Sequence, residues 1–182
     1  MAQPTLSAWT EGTTPLRLVE QTVAKDDPDP KALACYGLLV RWARAGTGQQ
    51  EEAWLRFVDG RPVSAVTCDF LDWCAQKLAT ADMTALLLVW DNASWHISHA
   101  VRQWIGKHNR AVKDCGMGVR IVACRLPTKS PWLNPIEPKW VHGKRRIVEP
   151  ARLLSAEEVE QRVNAAFGCC REDHLTIPEK PC

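Results

Sequence analysis

The run Ala85-Leu-Leu-Leu-Val-Trp90 is the longest uninterrupted apolar segment of the chain, and it ends abruptly at Asp91-Asn92. Six consecutive apolar residues predict a central β-strand that is covered on both faces. In open α/β sheets, ligands bind beyond the carboxyl ends of the strands. The run therefore predicts both a buried strand and a polar residue, Asp91, in the place where such proteins carry their chemistry.

The segments before this run predict two strands and a helix. Leu33 to Trp42 and Ala53 to Val58 have the composition of buried strands, and a glycine-containing loop at 46–50 would join them as a hairpin. From Ser64 to Leu78 apolar residues recur every four positions, which predicts an amphipathic helix. We interpret Asp69 and Asp72 as acids on the solvent face of this helix.

The segments after the run continue the alternation. A helix is predicted from about Ser94 to His108 with Ser94 as its N-cap, followed by a strand from Val119 to Cys124. The residues between these elements, 109–118, are expected to form a loop, where insertion is tolerated.

Two more helices are predicted near the end of the chain. Asn134 can cap one of them with Pro135 at its first position. Ser155 and Glu158 have the spacing of a capping box for the other, and Leu154 and Val159 have that of a hydrophobic staple. The alternation of strands and helices predicts an α/β fold with a mixed sheet flanked by helices.

Length, composition and charge limit the classes of protein that fit. A chain of 182 residues accommodates one domain with a core, and its apolar runs are far shorter than the roughly 20 residues of a membrane span. We therefore expect a cytosolic protein that does not enter a membrane. Net charge is only +2, but residues 1–91 carry 8 basic and 12 acidic side chains, whereas residues 92–182 carry 15 and 9. The basic excess is densest at Lys139 and Lys144-Arg145-Arg146, which is either a solvated helix face or a phosphate-binding surface.

Eight cysteines are scattered through the chain without a CxxC pair. Zinc sites usually show clustered ligands at short spacings, so we interpret most of these cysteines as small hydrophobic residues. The tail offers the only loose set of metal ligands, which is Cys169, Cys170, His174 and Cys182.

Two carboxylates are the candidates for chemistry. Asp91 ends the apolar strand, and Glu137 lies in the first turn of a predicted helix that follows two prolines. Carboxylate oxygens from separate elements, completed by water and substrate phosphate, suit Mg²⁺. Each residue also has a structural interpretation: Asp91-Asn92 as a turn, and Glu137 as the capping-box partner of Asn134.

The sequence motifs around both carboxylates resemble those of a known family. Leu-Val-Trp-Asp91-Asn92-Ala-Ser-Trp-His96 is followed by the segment Ser130-Pro-Trp-Leu-Asn134-Pro-Ile-Glu137, with 45 residues between Asp91 and Glu137. Together these resemble the DDE superfamily endonucleases, and within them the bacterial insertion-sequence transposases related to mariner elements. The spacing between Asp91 and Glu137 is longer than usual in those relatives, and the extra length is expected in the loop at 109–118. The specific part of the resemblance covers residues 85–146.

The resemblance implies a ribonuclease H-like fold in which three carboxylates bind two divalent ions, Mg²⁺ or Mn²⁺. Asp91 matches the second carboxylate and Glu137 the third. Asn92, His96 and Asn134 would orient substrate or the ligands themselves. The residues expected to contact DNA, by resemblance and by charge, are Lys129, Lys139, Lys144, Arg145 and Arg146.

The resemblance also predicts a missing part. The strand that carries the family's first carboxylate is expected just before the region of Thr5 to Gly12, so we expect a partial endonuclease domain at 1–150 and its C-terminal helix and tail at 151–182. The implied reaction is metal-assisted DNA cleavage and strand transfer, impaired here by the absent carboxylate.

The implied partners are DNA and a second subunit, either another copy of the chain or an intact transposase. One alternative is a non-catalytic DNA-binding or oligomerisation remnant of a transposase. Another is an unrelated α/β domain in which both motifs are only caps and turns, and this one predicts that divalent ions leave the melting temperature unchanged.

Overall fold

The computed structural model describes residues 7–9, 15–17, 33–44, 48–147 and 154–178. The described residues fall into two compact units, one from within 1–57 and 138–172 and the other from within 58–137 and 173–182. Strands and helices alternate along them, with seven strands and four α-helices in the described part. The predicted α/β class is confirmed. The predicted division at residue 150 stays a prediction.

The first unit contains a short strand pair that the sequence did not predict and a longer one that it did. β1 (Ser7–Trp9) pairs antiparallel with β2 (Pro15–Arg17). β3 (Ala34–Arg44) is hydrogen-bonded to its neighbour β4 (Gly48–Asp59), as the hairpin prediction requires. Both strands are longer than predicted, because regular pairing continues into polar residues that carry no hydrophobic signal.

Two helices complete the first unit. Residues 138–146 of α3 (Ile136–Arg146) belong to it, as does α4 (Ala156–Phe167). The predicted capping box is present: the Ser155 hydroxyl accepts from the Glu158 N–H at 3.2 Å, and the Glu158 carboxylate accepts from the Ser155 N–H at 2.9 Å. The core of the unit is formed by buried side chains from β4, α4, the residue before β3 and the residues that flank the two helices, namely Leu33, Leu55, Phe57, Ile147, Leu154, Val159 and Val163.

The second unit is built on a parallel strand pair. β5 (Ala85–Trp90) pairs in parallel with β6 (Arg120–Arg125), with Ala85 opposite Arg120 and Trp90 opposite Arg125. α1 (Ser64–Thr80) packs against α2 (His99–Cys115), and the predicted apolar stripe of α1 is buried. Val58 and Asp59 at the end of β4 pair in parallel with β7 (Leu175–Thr176).

Helix α2 differs from its prediction at both ends. It begins after Ser98, whose hydroxyl accepts from the Val101 N–H at 3.2 Å, rather than after Ser94. Serine is an equally good N-cap at either position, so local preference does not choose between them. The helix continues to Cys115 and ends at Gly116, which has a φ of 71°. The extra length predicted as a loop at 109–118 is therefore mostly two further turns of helix.

Strand β5 is covered less than its composition predicted. Leu86, Leu88 and Trp90 are buried, but Leu87 is 65% exposed and Val89 is 44% exposed. Because side chains alternate across a strand, one face of β5 packs and the other faces solvent. The prediction of a strand covered on both faces is thus wrong for this structure, although the strand itself is confirmed.

Polar side chains of α2 close part of the outer edge of β6. The Asn109 amide donates to the Ile121 carbonyl and accepts from the Ile121 N–H, both at 2.8 Å. His108 Nε2 lies 2.8 Å from the Val119 carbonyl oxygen. Because Asn109 meets a backbone N–H and C=O together, it replaces a neighbouring strand at that position.

The cysteines behave largely as predicted. No disulfide joins the seven cysteines in the described residues. Burial raises the pKa of Cys35 to about 12 and that of Cys68 to about 11, which keeps both thiols protonated. Cys124 is an exception among the cysteines of apolar segments, because it is exposed on β6, and Cys115 and Cys170 are exposed too.

None of the described helices combines the length and the apolar character needed to cross a membrane.

Candidate active site at the carboxyl edge of the parallel strand pair

Asp91 lies at the carboxyl edge of the β5–β6 pair. It follows Trp90 directly, and the Leu126 N–H, the first beyond β6, donates to the Trp90 carbonyl at 2.9 Å. The two strands therefore end at the same level. This is the edge at which parallel strands present ligand-binding groups, because no further pairing occupies the residues that follow.

One oxygen of the Asp91 carboxylate is held and the other is open. Oδ1 accepts from the Ala93 N–H at 2.9 Å and lies 2.8 Å from Nδ1 of His96. An ionised carboxylate can only accept, so Nδ1 of His96 carries the hydrogen in this contact. No described residue bonds to Oδ2, and the side chain is 51% exposed. The carboxylate is thus oriented by protein groups yet accessible on one side.

Contacts with neighbouring residues also hold His96 in place. Its ring stacks on Trp90 with centroids 5.1 Å apart and planes inclined by 6°, and it meets the edge of Trp95 at 5.9 Å. The Ala93 carbonyl accepts from the His96 N–H at 2.9 Å, which closes a turn. This turn explains why α2 begins only at His99: the chain first folds back to bring His96 over Trp90.

Asn92 joins the ends of the two strands. Its Nδ2 donates to the Leu126 carbonyl at 2.7 Å, 34 residues further along the chain. This bond extends the ladder by one contact beyond Trp90 and keeps the backbone next to Asp91 in place. Asn92 therefore has an orienting role for the edge, and the structural interpretation of Asp91-Asn92 as a turn is compatible with a functional one.

Glu137 lies in the first turn of α3, within the second unit. The Asn134 side-chain oxygen accepts from the Ile136 N–H at 3.4 Å, and the Asn134 carbonyl accepts from the Glu137 N–H at 3.1 Å. Pro138 has no N–H to donate, so the tighter i+3 bond from Glu137 replaces the usual helical one. The start of the helix at Asn134-Pro135 is as predicted.

The Glu137 carboxylate makes no hydrogen bond or ion pair with any described residue. A capping box would require it to accept from the Asn134 N–H, so that structural interpretation does not account for Glu137. Direct contacts bring Asp91 and His96 together, and Asn92 follows Asp91 directly. Glu137 follows Leu126 by eleven residues, and no described contact links it to Asp91.

The oxygen donors suit a hard divalent cation, and their number is small. Asp91 Oδ2 and the Glu137 carboxylate are accessible hard ligands of the kind that Mg²⁺ and Mn²⁺ take. Among the described residues there is no group of three or more His, Cys, Asp or Glu side chains that could hold a metal ion. Each carboxylate is therefore a suitable ligand for a divalent ion by its chemistry, and the two together are one fewer than the three that the resemblance implies.

The loose metal set of the tail does not form among the described residues, and Cys182, its fourth member, lies outside them. His174 Nδ1 lies 2.6 Å from Asp59 Oδ1, and the Cys169 thiol donates to the Ala53 carbonyl at 3.0 Å. Both side chains are thus engaged in contacts that have no metal-ligand geometry.

The predicted basic residues lie at two places. Lys129 is exposed in the loop after β6 and has a φ of 59°. Lys144, Arg145 and Arg146 are exposed in the last turn of α3. Cations also stabilise the C-terminal end of any helix, so their position has a structural reason as well.

Lys139 is paired with a residue that sequence reasoning missed. Its Nζ lies 2.6 Å from Glu51 Oε1, and Arg41 Nε lies 2.6 Å from Glu51 Oε2. Hydrogen bonds from Lys139 first, and from Arg41 second, hold the pKa of Glu51 below its usual range. No local pattern predicts this contact, because Lys139 and Glu51 are 88 positions apart.

Comparison with known proteins adds one match. The family model described as DDE superfamily endonuclease matches residues 38–160, which is more than half of the chain and contains Asp91, Glu137 and every other residue of the predicted site. Neither the curated proteins nor the solved structures give a significant match.

Proposed function

The chain belongs to the DDE superfamily of endonucleases, and from that premise we propose that it is a transposase catalytic domain acting on DNA strands. The family implies a DNA substrate, a divalent metal requirement and a ribonuclease H-like fold, with which the α/β architecture is consistent. The observation that carries the proposal for this chain is the Asp91 carboxylate, oriented through Oδ1 and open at Oδ2 on the carboxyl edge of a parallel strand pair.

Asp91 and Glu137 are the residues that would hold Mg²⁺ or Mn²⁺, two ions in the intact family site. When bound, such ions neutralise phosphate charge and increase the nucleophilicity of water or of a DNA 3′-hydroxyl. The protein's own part is preorganisation. Ala93 and His96 fix Asp91 Oδ1, Asn92 fixes the strand ends, and Asn134 fixes the turn that carries Glu137. The Asp91 carboxylate, which is held in this way, loses less side-chain entropy on binding a cation than an unrestrained one would.

The exposed cations would contact the DNA backbone. Lys129, Lys144, Arg145 and Arg146 carry full charges on accessible side chains, which suits phosphate contacts that position a duplex without reading its sequence. We further propose that the chain works as a homodimer or beside an intact transposase, in the cytoplasm of a bacterium and on its nucleoid.

Metal binding is the first test. Mn²⁺ at ten times its dissociation constant should stabilise the protein by about 1.4 kcal/mol, because a ligand that binds only the folded state shifts the unfolding equilibrium. Thermal melting with and without Mn²⁺ measures this stabilisation. Asp91→Ala and Glu137→Ala should each remove it. Asp114→Ala removes the same charge from an exposed position of α2 and should leave it unchanged; equal loss in all three variants would refute the site.

Cleavage is the second test. Two carboxylates form an incomplete ligand set, so we expect little nicking of a supercoiled plasmid in Mg²⁺ or Mn²⁺. The residual nicking should disappear in Asp91→Ala and persist in Asp114→Ala. Rapid nicking that depends on Asp91 would show that the site is complete, and the proposal of impaired activity would then be wrong.

DNA binding without cleavage is the second candidate function. The exposed basic turn of α3 and the small number of carboxylates favour it. It predicts salt-dependent binding of a duplex, with a slope that falls by about three when Lys144, Arg145 and Arg146 are all changed to Gln. Metal-dependent stabilisation through Asp91 separates the catalytic proposal from this one.

A further inference from the structure

A pocket of about 410 Å³ lies within the first unit. β4 contributes Glu51, Glu52 and Ala53 to its wall, and the end of α4 contributes Ala166, Phe167 and Gly168. The remaining wall is one stripe of α3, formed by Lys139, His142 and Arg146. Because these three positions are three and four residues apart, a single helix face presents all of them to the same space.

The three side chains of this stripe differ in their contacts. Lys139 is paired with Glu51, as described above, whereas neither His142 nor Arg146 has an ion pair or hydrogen bond with any described residue. Arg146 therefore brings an unmatched planar guanidinium to the pocket. Such a group binds the oxygens of a phosphate in pairs, which a lysine cannot do.

Glu51 sits where an anion from outside would sit. Its two oxygens are shared between Lys139 and Arg41 at 2.6 Å each, so one carboxylate holds two cations. Glu52 follows it in β4, also lines the pocket and has no ion pair with any described residue. Because adjacent side chains of a strand point to opposite faces, only one of these two glutamates meets both cations, and that one is Glu51.

We propose that this pocket binds a phosphodiester of the DNA backbone, and that Glu51 occupies its cations as an internal competitor which DNA displaces. The inference deepens the proposed function and rests on its DNA substrate. Arg146 and His142 would receive the phosphate first, and Lys139 would follow when it exchanges Glu51 for a phosphate oxygen. The α3 C-terminus opposes an anion with about half a charge, which the two full charges of Lys139 and Arg146 outweigh.

Displacement of Glu51 is feasible because the pairs that hold it are partly exposed. The Lys139 side chain is 41% exposed and that of Arg41 is 48% exposed, so water and salt weaken both pairs. A phosphate that already contacts Arg146 competes at high effective concentration for the neighbouring Lys139. In the bound state both Arg146 and Lys139 then contact phosphate, whereas in the free protein Lys139 is paired with Glu51.

The test compares two adjacent glutamates in a DNA-binding assay. Fluorescence anisotropy of a short labelled duplex is measured at several NaCl concentrations for the full chain and for the variants Glu51→Gln and Glu52→Gln. Both variants remove one negative charge from the same wall, but only Glu51→Gln releases Lys139 and Arg41. We expect Glu51→Gln to tighten binding by about tenfold and to steepen the salt slope by about one to two, with a clearly smaller gain for Glu52→Gln.

A second pair of variants identifies the released cation. In a Lys139→Gln background, most of the gain from Glu51→Gln should disappear, because the cation that it frees into the pocket is gone. Arg146→Gln should lower the salt slope by about one. Equal gains for Glu51→Gln and Glu52→Gln would overturn the inference while leaving DNA binding intact. Absence of duplex binding in every variant would instead contradict the DNA substrate itself.

Discussion

Asp91 in the second unit and Glu51 in the first are held in opposite ways. In the second unit, one oxygen of Asp91 is held by Ala93 and His96 while the other has no described partner. In the first unit, both oxygens of Glu51 are taken by cations. A carboxylate that is oriented but not neutralised is prepared for a metal ion, whereas one that is saturated by lysine and arginine acts as a counter-ion. The contacts of a carboxylate, rather than its presence, indicate its chemistry.

Both units bury apolar side chains, and the second adds polar ties near the acidic site. The first unit has a cluster of buried apolar side chains shared by strands and helices. The second buries the apolar stripe of α1 and one face of β5, and the polar side chains of Asn92, His108 and Asn109 tie the ends and the edge of its strand pair. Packing should therefore contribute to stability in both units, and hydrogen bonds from side chains to backbone should add to it around the acidic site.

The same substitution at two glycines gives the largest expected contrast. A Cβ added to Gly143 in α3 would lie 2.6 Å from Cε2 of Phe167, whose ring already packs against Trp140. Gly143→Ala should cost about 1–3 kcal/mol by overpacking. Gly106 in α2 has open space around it, so Gly106→Ala should stabilise the protein by up to about 1 kcal/mol. Denaturant unfolding measures both, and equal effects would contradict the difference in packing.

Asn109 tests the polar support of the strand pair. Asn109→Ala leaves the Ile121 N–H and C=O without their partners, which should cost about 2 kcal/mol because the lost groups belong to a buried residue. Gln103→Ala on the exposed face of the same helix serves as the control and should change the free energy of unfolding by less than about 0.5 kcal/mol. Metal-induced stabilisation should fall with Asn109→Ala if β6 positions the site.

His96 tests orientation of the open carboxylate. His96→Ala should weaken divalent-metal binding by about tenfold, as expected for the loss of a group that orients a ligand. Titration of the melting temperature with Mn²⁺ gives the affinity. His96→Asn places an amide donor near Nδ1 and should restore part of it, while His99→Ala should have no effect. If Asn and Ala behave alike, the ring acts only through its stacking on Trp90.

Asn92 gives the smallest expected effect. Asn92→Ala removes one hydrogen bond to the Leu126 carbonyl and should cost about 1 kcal/mol of unfolding free energy. Asn92→Asp keeps the shape but sets a carboxylate against that carbonyl and beside Asp91, so it should cost more than Asn92→Ala. The opposite order would show that Asn92 does not tie the strand ends.

Much of the framework could be predicted because its signals are local. The apolar run predicted β5 and the position of Asp91, the four-residue period predicted α1, and the spacing of Ser155 and Glu158 predicted a capping box that is present. Asn134-Pro135 predicted the start of α3 for the same reason. In each case the interacting groups are within a few residues, so the chain's own geometry determines whether they meet.

The remaining features depend on contacts between distant residues. By itself the sequence determined the α/β class, the strand that ends just before Asp91 and the sequence motifs that match the DDE family. Only the tertiary structure decided that α2 starts at His99 with Ser98 as its N-cap, because the turn before it places His96 against Trp90 and Asp91. It also decided that Glu51 is saturated and Asp91 is open. A carboxylate's partners are set by which elements pack beside it, and that choice is made by the free energy of the whole fold rather than by any local stretch of chain.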